Sequence, residues 1–535
     1  MSGVVVVLSG PVSAGKTTLA RRLAKRFGTE HLKTSRLLKE ISGGQVKAER
    51  RAMQQLGSRL DRETDGSWVE KGFARNIEAM DADAVIVIDA VRTIEQIEGL
   101  RSGLSRAVVH VHLEAPQEIL EHRYARRRGS SFTERATYAE VLSNRTEKRV
   151  PKLAREADVV IDTGTSTRKD VAVRAASYLG LNVRDPGAVV DVIVGGQFGS
   201  EGKGNIAYAI GPEYDLLCRV GGPNAGHKVP LEKTLTHRLL PSATLSSQAP
   251  ILIGPGAVLD TDVLFKEIAE SEVEWGRLHI DPQAMIIRGE DKVAEGGVVN
   301  DIGSTGKGVG VATARRITDR GKKIELARDV KALKPYIAST EDILADAYSA
   351  GFRILLEGTQ GSGLSLYHGS YPHVTSRDTT AAGCLAEMGI SPSRVRRVIM
   401  VCRTYPIRVQ SPKAKGKHSG PMSQPTTWKK IAMRSGIKHR ELLQVEKGSV
   451  SKKQRRVSEF DWDLLRRSSE LNGATDIALT FADYLDVKNR DARRFDQLQP
   501  ETIQFIEEVE RVSGAPVSLI STRFHLRSVI DRRAW

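Results

Sequence analysis

Cysteine is scarce in this chain. Only Cys218, Cys384 and Cys402 occur in 535 residues, far apart and without a C-x-x-C pair. An odd, scattered set excludes a disulfide framework and a cysteine-built zinc site, and it fits a reducing cytoplasm. Long apolar runs are missing too: none approaches the roughly 20 residues that a membrane-spanning helix requires. The opening MSGVVVVLSG has neither the basic start nor the cleavage site of a signal peptide, so it reads as a first strand ending in glycine. Aromatic residues make up 5% of the chain, and the basic clusters KAKGKH (413–418) and SKKQRR (451–456) contain none. Without aromatics to stack bases these clusters are no platform for single strands, and direct nucleic-acid binding is not expected.

Acidic residues are in deficit: 65 Asp and Glu against 81 Lys and Arg give a formal charge of +16. Such a surplus favours acidic partners, and nucleotides fit it better than a polymer. The remaining composition, 40% hydrophobic and 27% charged, is that of a globular protein. Its length implies two or three cores.

The run VVVVLSG leads into GPVSAGKT and then into the helical pattern TLARRLAKRFG. Gly10, Gly15, Lys16 and Thr17 satisfy G-x-x-x-x-G-K-[ST] in the strand–loop–helix context that the pattern needs. Backbone N–H groups of such a loop wrap the phosphates of ATP. Lys16 neutralises the outer oxygens, and Thr17, followed by Thr18, holds Mg²⁺. AVIVIDAVR (84–92) reads as a buried strand reaching Asp89, a carboxylate suited to orienting Mg²⁺-bound water or to capping a helix. VVHVHLEAP (108–116) and ADVVIDT (157–163) read as further strands, with the helical, arginine-dense stretch 122–149 between them. In a P-loop protein that stretch resembles the lid of nucleoside monophosphate kinases. Residues 1–182 are therefore expected to form a P-loop nucleotide kinase-like domain, with its acceptor near TSR (34–36). Pro and Gly in LNVRDPGAVVD (181–191) mark a linker at 183–190, and 191–535 a second domain. The predicted class is α/β: two P-loop-like domains, each a mainly parallel sheet flanked by helices.

The second half restarts with VVDVIVGGQFGSEGKGN, a strand and a glycine loop outside the Walker pattern. RVGGPNAGH, IGSTGKGVG, LLEGTQGSG…HVTSRDTTAAG, RTYPIRV, VSKKQRRVSEFDWDLL and ALTFADYLD follow in order. Together these resemble the adenylosuccinate synthetase family, particularly its shorter archaeal-type branch, over roughly 190–535. The resemblance implies a Mg²⁺-dependent ligase that phosphorylates the 6-oxygen of a purine monophosphate and lets L-aspartate displace the phosphate. In the family's pattern Gly199, Ser200, Glu201, Gly202, Lys203 and Gly204 form the phosphate loop. The Gly226 carbonyl and residue 200 hold Mg²⁺, and His227 is the acid at the 6-oxygen. Asn224, Thr305, Gln360 and Thr375 contact the purine nucleotide. Arg315, Arg316 and Arg320 are candidates for a phosphate arginine donated across a homodimer, with Arg320 carried in the binding set. Ser451, Lys453 and Arg455 fall in the aspartate loop, where Lys453 stands for the commoner arginine. Asp483 and Ser521 match positions that contact the triphosphate's base, but TFAD and STRF depart from the GTP-type TKLD and STGP. ATP is therefore expected rather than GTP.

Ser200 is the sharpest departure. The ordinary enzyme carries aspartate there, which takes the N1 proton of IMP, and a hydroxyl is a poor base. Guanine keeps the 6-oxo, N1–H edge and adds a 2-amino group that a carboxylate at 200 would crowd. The same substitution marks a phage-type branch of the family that condenses dGMP with aspartate. Three readings stand: a dGMP-using ligase with an added kinase-like activity, a conventional synthetase acting on IMP, and a non-catalytic nucleotide-sensing protein.

Overall fold

The β-branched run VVVVLS forms β1 (Val4–Ser9), the middle strand of a five-stranded sheet. β2 (Glu30–Lys33), β3 (Ile86–Asp89), β4 (Ala107–Glu114) and β5 (Val159–Asp162) complete it in the order 2-3-1-4-5. Every pairing is parallel, so both faces need cover. Val6 and Leu8 pack with Leu19, Leu23 and Ala175 on one face, while Val5 and Val7 pack with Trp68, Phe73 and Ile97 on the other. Leu8 is in register with Asp89, which brings the phosphate loop and that carboxylate out at the same edge of the sheet.

This computed structural model describes residues 3–44, 50–128, 137–181, 187–231, 234–321, 324–412, 416–448 and 453–533. The chain divides into two compact units, Met1–Arg184 and Asp185–Trp535. Within the first, the arginine-dense stretch is less continuous than its composition suggests. Helix Gln117–Arg128 is followed, after residues outside the described set, by Tyr138–Ser143 and Arg145–Arg149. Asn144 separates the last two because its side chain accepts from Thr146 N at 2.8 Å, capping the second helix.

The second unit is built on the strand Val190–Gly195, fifth in a sheet of nine. On one side lie Ile354–Glu357, Leu216–Arg219, Ile251–Ile253 and Leu278–Ile280; on the other lie Val395–Arg403, Asp476–Thr480, Val517–Ser521 and Val529–Asp531. Only the last pairing is antiparallel. Both domains are thus α/β with mainly parallel sheets, as the sequence indicates. Val192, Val194 and Met400 face Leu385 and Ile506, while Ile193 and Val401 face Ile206 and Ile210. The second glycine loop, the NAGH turn and the segments opened by Glu357, Arg403 and Thr480 all leave the carboxyl ends of these strands, where parallel sheets bind ligands. Among the described residues no helix is long and apolar enough to cross a membrane.

Candidate functional site

In the first unit Gly15 takes the left-handed conformation (φ 105°) that glycine adopts without a Cβ clash, and Lys16 opens the helix Lys16–Phe27. Lys16 Nζ donates to the carbonyls of Gly10 and Pro11 at 2.6 and 2.8 Å. Thr17 Oγ1 donates to Asp89 Oδ2 at 2.6 Å, and Asp89 Oδ1 is buried without a partner among the described residues. Burial opposes ionisation of Asp89, yet the His31 ring, 3.5 Å from Oδ2, and the bond from Thr17 hold its carboxyl below the usual range. Thr18 lines the same cavity of about 900 Å³. Asp89 is therefore a partner of the phosphate loop, and among the described residues it caps no helix.

The second loop repeats this geometry without the Walker spacing. Gly202 (φ 100°) caps the helix Lys203–Ile210, whose first residue is again lysine. Its charge is arranged differently. Lys203 is 1% exposed and donates to Glu201 Oε2 at 2.6 Å, to the Gln360 carbonyl at 2.5 Å and to the Gly199 carbonyl at 3.4 Å. Glu201 Oε1 accepts the N–H groups of Gln197 and Gly199. Two N–H donors of the loop and two of the ammonium's bonds thus already serve the loop itself, and the third ties it to Gln360. Ser200 is half-buried; its carbonyl accepts from Arg403 Nη1 at 3.3 Å, and among the described residues nothing bonds its hydroxyl.

His227 lies against the same loop: a Cβ on Gly204 would fall 3.1 Å from His227 Cβ. Its Nδ1 is hydrogen-bonded to Glu357 Oε1, which also accepts from Ser242 Oγ at 2.7 Å and Arg219 Nη1 at 3.1 Å. Burial and the Arg219 charge push His227 down to about 3, and Glu357, despite its burial, is held near 2 by Arg219 and His227. The free molecule therefore carries neutral imidazole, Nδ1–H bonded to carboxylate and Nε2 buried with no partner among the described residues. Glu357 escaped sequence reasoning, although a carboxylate ending the apolar run ILLE is the available signal.

Gln360 Nε2 and Asn224 Nδ2 both donate to Thr375 Oγ1, at 2.8 and 3.4 Å, and Asn224 Oδ1 is buried with no partner among the described residues. Three of the residues matched to the purine nucleotide are thus one cluster. Gly226 directly precedes His227 in the NAGH turn. Thr305 is half-buried in the loop between Gly303 (φ 76°) and Gly308 (φ 80°), and among the described residues no bond joins it to that cluster. Arg315 is paired with Asp291 at 2.7 Å and Arg316 donates to the carbonyls of Pro255 and Gln283, whereas Arg320 is exposed.

Ser451 lies outside the described residues, and Lys453 is exposed. Arg455 donates to Glu446 Oε2 at 3.2 Å, and Glu446 Oε1 accepts from Arg403 at 2.8 Å and Tyr484 at 2.6 Å. Arg403 thereby links Ser200 to Arg455 through a buried carboxylate that nothing in the sequence singles out. Asp483 Oδ2 accepts from Arg490 Nε at 3.0 Å; its Oδ1 is buried without a partner among the described residues, and burial, only partly offset by Arg490, pushes its carboxyl up to about 6. Asp483 N donates to the Thr522 carbonyl, and Ser521 Oγ accepts from Asn205 at 2.8 Å, so both lie beside the helix that Lys203 opens.

The family model described as adenylosuccinate synthetase matches residues 192–330 and 325–490. The chain belongs to the adenylosuccinate synthetase family. Its members are C–N ligases acting on a purine monophosphate, aspartate and a nucleoside triphosphate. A model described as an AAA domain matches residues 9–141, in the first unit. The adenylosuccinate synthetase of Pyrococcus horikoshii is 39% identical over 351 residues, 64% of this chain and 98% of that protein. That of Methanocaldococcus jannaschii is 36% identical over 352 residues, 64% of this chain and 96% of that protein. Among solved structures, the cyanophage S-2L succinoaminodeoxyadenylate synthetase PurZ, bound to dGMP and to dATP as an energy donor, matches with a TM-score of 0.54 at 27% identity, covering 64% of this chain and 95% of that one. A fully ligated adenylosuccinate synthetase from Plasmodium falciparum shares the fold, with a TM-score of 0.55 at 20% identity, covering 65% of this chain and 100% of that one.

Proposed function

We propose that the second unit ligates L-aspartate to C6 of dGMP at the expense of ATP, through a 6-phosphoryl intermediate, giving N6-succino-2-amino-dAMP. The observation that carries this reading is Ser200: its hydroxyl stands in the family's aspartate position and has no bond among the described residues, while its carbonyl accepts from Arg403. The likeness to a ligase solved with dGMP and dATP supports it. The loss of a carboxylate leaves room for a 2-amino group beside N1, and the hydroxyl can accept from it.

His227 enters neutral, with Nε2 free to meet the 6-oxygen. With Nδ1–H on Glu357, Nε2 of the neutral ring carries a lone pair and takes up a proton from solvent as the substrate binds; Glu357 and the charge developing on the 6-oxygen stabilise the resulting imidazolium, whose Nε2–H donates to that oxygen as it becomes a leaving group. Gln360, Thr375 and Asn224 fix the nucleotide, Arg455 pairs with the aspartate carboxylates, and Arg320 is the arginine left for a neighbouring subunit in a homodimer. Lys203 acts by fixing the loop unless Glu201 releases it. In the first unit the orphaned Asp89 oxygen and Thr17 fit Mg²⁺, a hard cation that takes oxygen ligands. In the second, the Ser200 hydroxyl and Gly226 carbonyl would hold it through neutral oxygens, leaving most of the charge match to phosphate. Mg²⁺ supplies electrostatic stabilisation of the transferring phosphoryl group.

The donor preference follows from Asp483. Guanine presents N1–H and the 2-amino group side by side and needs both carboxylate oxygens. Arg490 has taken one, and the remaining oxygen suits the single 6-amino group of adenine. The first unit we read as an ATP-dependent phosphotransferase, and the whole as a cytoplasmic enzyme of a 2-aminoadenine nucleotide pathway. A conventional reaction on IMP is favoured by the 39% identity to an adenylosuccinate synthetase. Incubation with ATP and aspartate against dGMP, GMP, dIMP and IMP, followed by product mass, separates these readings. Turnover of IMP alone overturns the dGMP assignment, and no condensation at all promotes a nucleotide-sensing role.

A further inference from the structure

The cavity of the first unit does not end at the phosphate loop. It continues to Asp61, on the helix Arg50–Thr64, a carboxylate with which no Lys or Arg pairs among the described residues. Trp68 Nε1 and Gln96 Nε2 both donate to Asp61 Oδ1 at 2.7 Å, and Gln96 is itself fixed by Arg92 N, which donates to its Oε1 at 2.9 Å. Two donors on one oxygen set the plane of the carboxylate and leave Oδ2 for a ligand. Burial holds this carboxyl above the usual range, a cost that a donor from a ligand would relieve.

The walls here are of two kinds. Leu38, Met53 and Trp68 give apolar surface suited to a flat ring, while Lys33, in register with Asp89 at the end of β2, and Lys39 add positive charge. A volume of about 900 Å³ lies at the upper end of the range for ligand pockets, roughly 300–1,000 Å³, and has room for a donor and an acceptor together. The acceptor must therefore join an anion to a planar group bearing an N–H.

We propose that this end of the cavity is the acceptor site of the first unit, and that it takes a nucleoside monophosphate whose base donates an N–H to Asp61 and whose phosphate faces Lys33 and Lys39. The proposal rests on reading that unit as an ATP-dependent phosphotransferase. An oxygen of the acceptor phosphate bonds to the γ-phosphorus of ATP. The bond from that phosphorus to the β,γ-bridging oxygen breaks, ADP leaves with the electron pair, and a nucleoside diphosphate is formed. An anionic phosphate oxygen needs no base to attack, so Asp61 reads the acceptor and takes no proton.

The test uses the full chain with ATP, Mg²⁺ and a panel of dGMP, dAMP, dCMP, dTMP and the four matching nucleosides, scoring ADP release and product mass. At least one monophosphate is phosphorylated and no nucleoside is. Asp61→Asn raises the acceptor KM about 10-fold or more, leaves the KM for ATP unchanged and moves kcat by less than about 3-fold. Gln96→Ala, which frees the carboxylate to turn, gives the same acceptor-selective rise and serves if Asp61→Asn does not fold. Phosphorylation of a nucleoside, or a collapse of kcat at constant KM in Asp61→Asn, overturns the proposal, because Asp61 would then be a base for a hydroxyl acceptor. ATP turnover that depends on Lys16 but passes no phosphate to any monophosphate overturns it alone. Absence of any such turnover overturns the phosphotransferase reading with it.

Discussion

His227 Nδ1 and Glu357 Oε1 are hydrogen-bonded in an interior where the histidine is 5% and the glutamate 0% exposed. Both groups titrate below their ordinary values, His227 at about 3 against 6.5 and Glu357 at about 2 against 4.5. The unfolded chain takes up these protons first as the pH falls. The histidine's contribution to stability is whole above pH 6.5 and is lost progressively down to about 3. The glutamate's is whole above 4.5 and lost towards 2. Urea midpoints measured between pH 7 and 4 are expected to fall with pH, and to fall less steeply in His227→Gln. Equal slopes in the two proteins would remove the pair from this account.

The same bond has a catalytic consequence. Glu357→Gln keeps an acceptor oxygen but loses the charge that stabilises imidazolium, so kcat for ligation should drop about 10- to 100-fold with little change in the nucleotide KM. His227→Asn should cost about 100-fold or more. A Glu357→Gln enzyme with wild-type kcat would reduce Glu357 to packing.

For the first unit, if each loop serves its own transfer as proposed, Lys16→Ala should abolish monophosphate phosphorylation and leave aspartate ligation within about 2-fold. Steady-state rates of both reactions on one preparation decide this. Loss of both would show that the two activities are coupled.

Much of this arrangement is legible in the sequence because it is local. The glycines, Lys16 and Lys203 announce themselves by spacing, and the parallel sheets follow from β-branched runs between helical patterns. NAGH, EGTQ and HVTSR each identify a residue of one cluster. What stays hidden is contact between distant segments. Nothing local marks Glu446 as the carboxylate that joins Arg403 to Arg455, or Arg490 as the partner of Asp483. Nor does spacing reveal that Glu201 and Lys203, two residues apart, satisfy each other. Asn144 breaks the arginine-rich helix by a side-chain cap that composition alone does not announce.

Arg490 gives a prediction about the energy donor. If it confines Asp483 to one free oxygen, Arg490→Ala frees the second; measured at about pH 8.5, where the carboxyl that Arg490 no longer helps to ionise is charged, the ratio of kcat/KM for ATP to that for GTP should shift about 10-fold towards GTP. The change belongs in the donor KM, with dGMP and aspartate saturating. An unchanged ratio would place donor selectivity elsewhere, with STRF the next segment to alter.

Ser200→Asp tests the purine assignment most directly. The carboxylate adds bulk and charge where the 2-amino group of guanine is proposed to lie, and it supplies the base that an inosine substrate needs. The kcat/KM for dGMP should fall about 10- to 100-fold while that for IMP or dIMP rises. Arg403 holds residue 200 by its carbonyl, so the loop itself has no reason to move. Competition between dGMP and dIMP in one reaction, read by product mass, gives the selectivity without separate KM values. A variant as selective for dGMP as the parent would mean that the 2-amino group is read by some other residue, and the serine would lose its role.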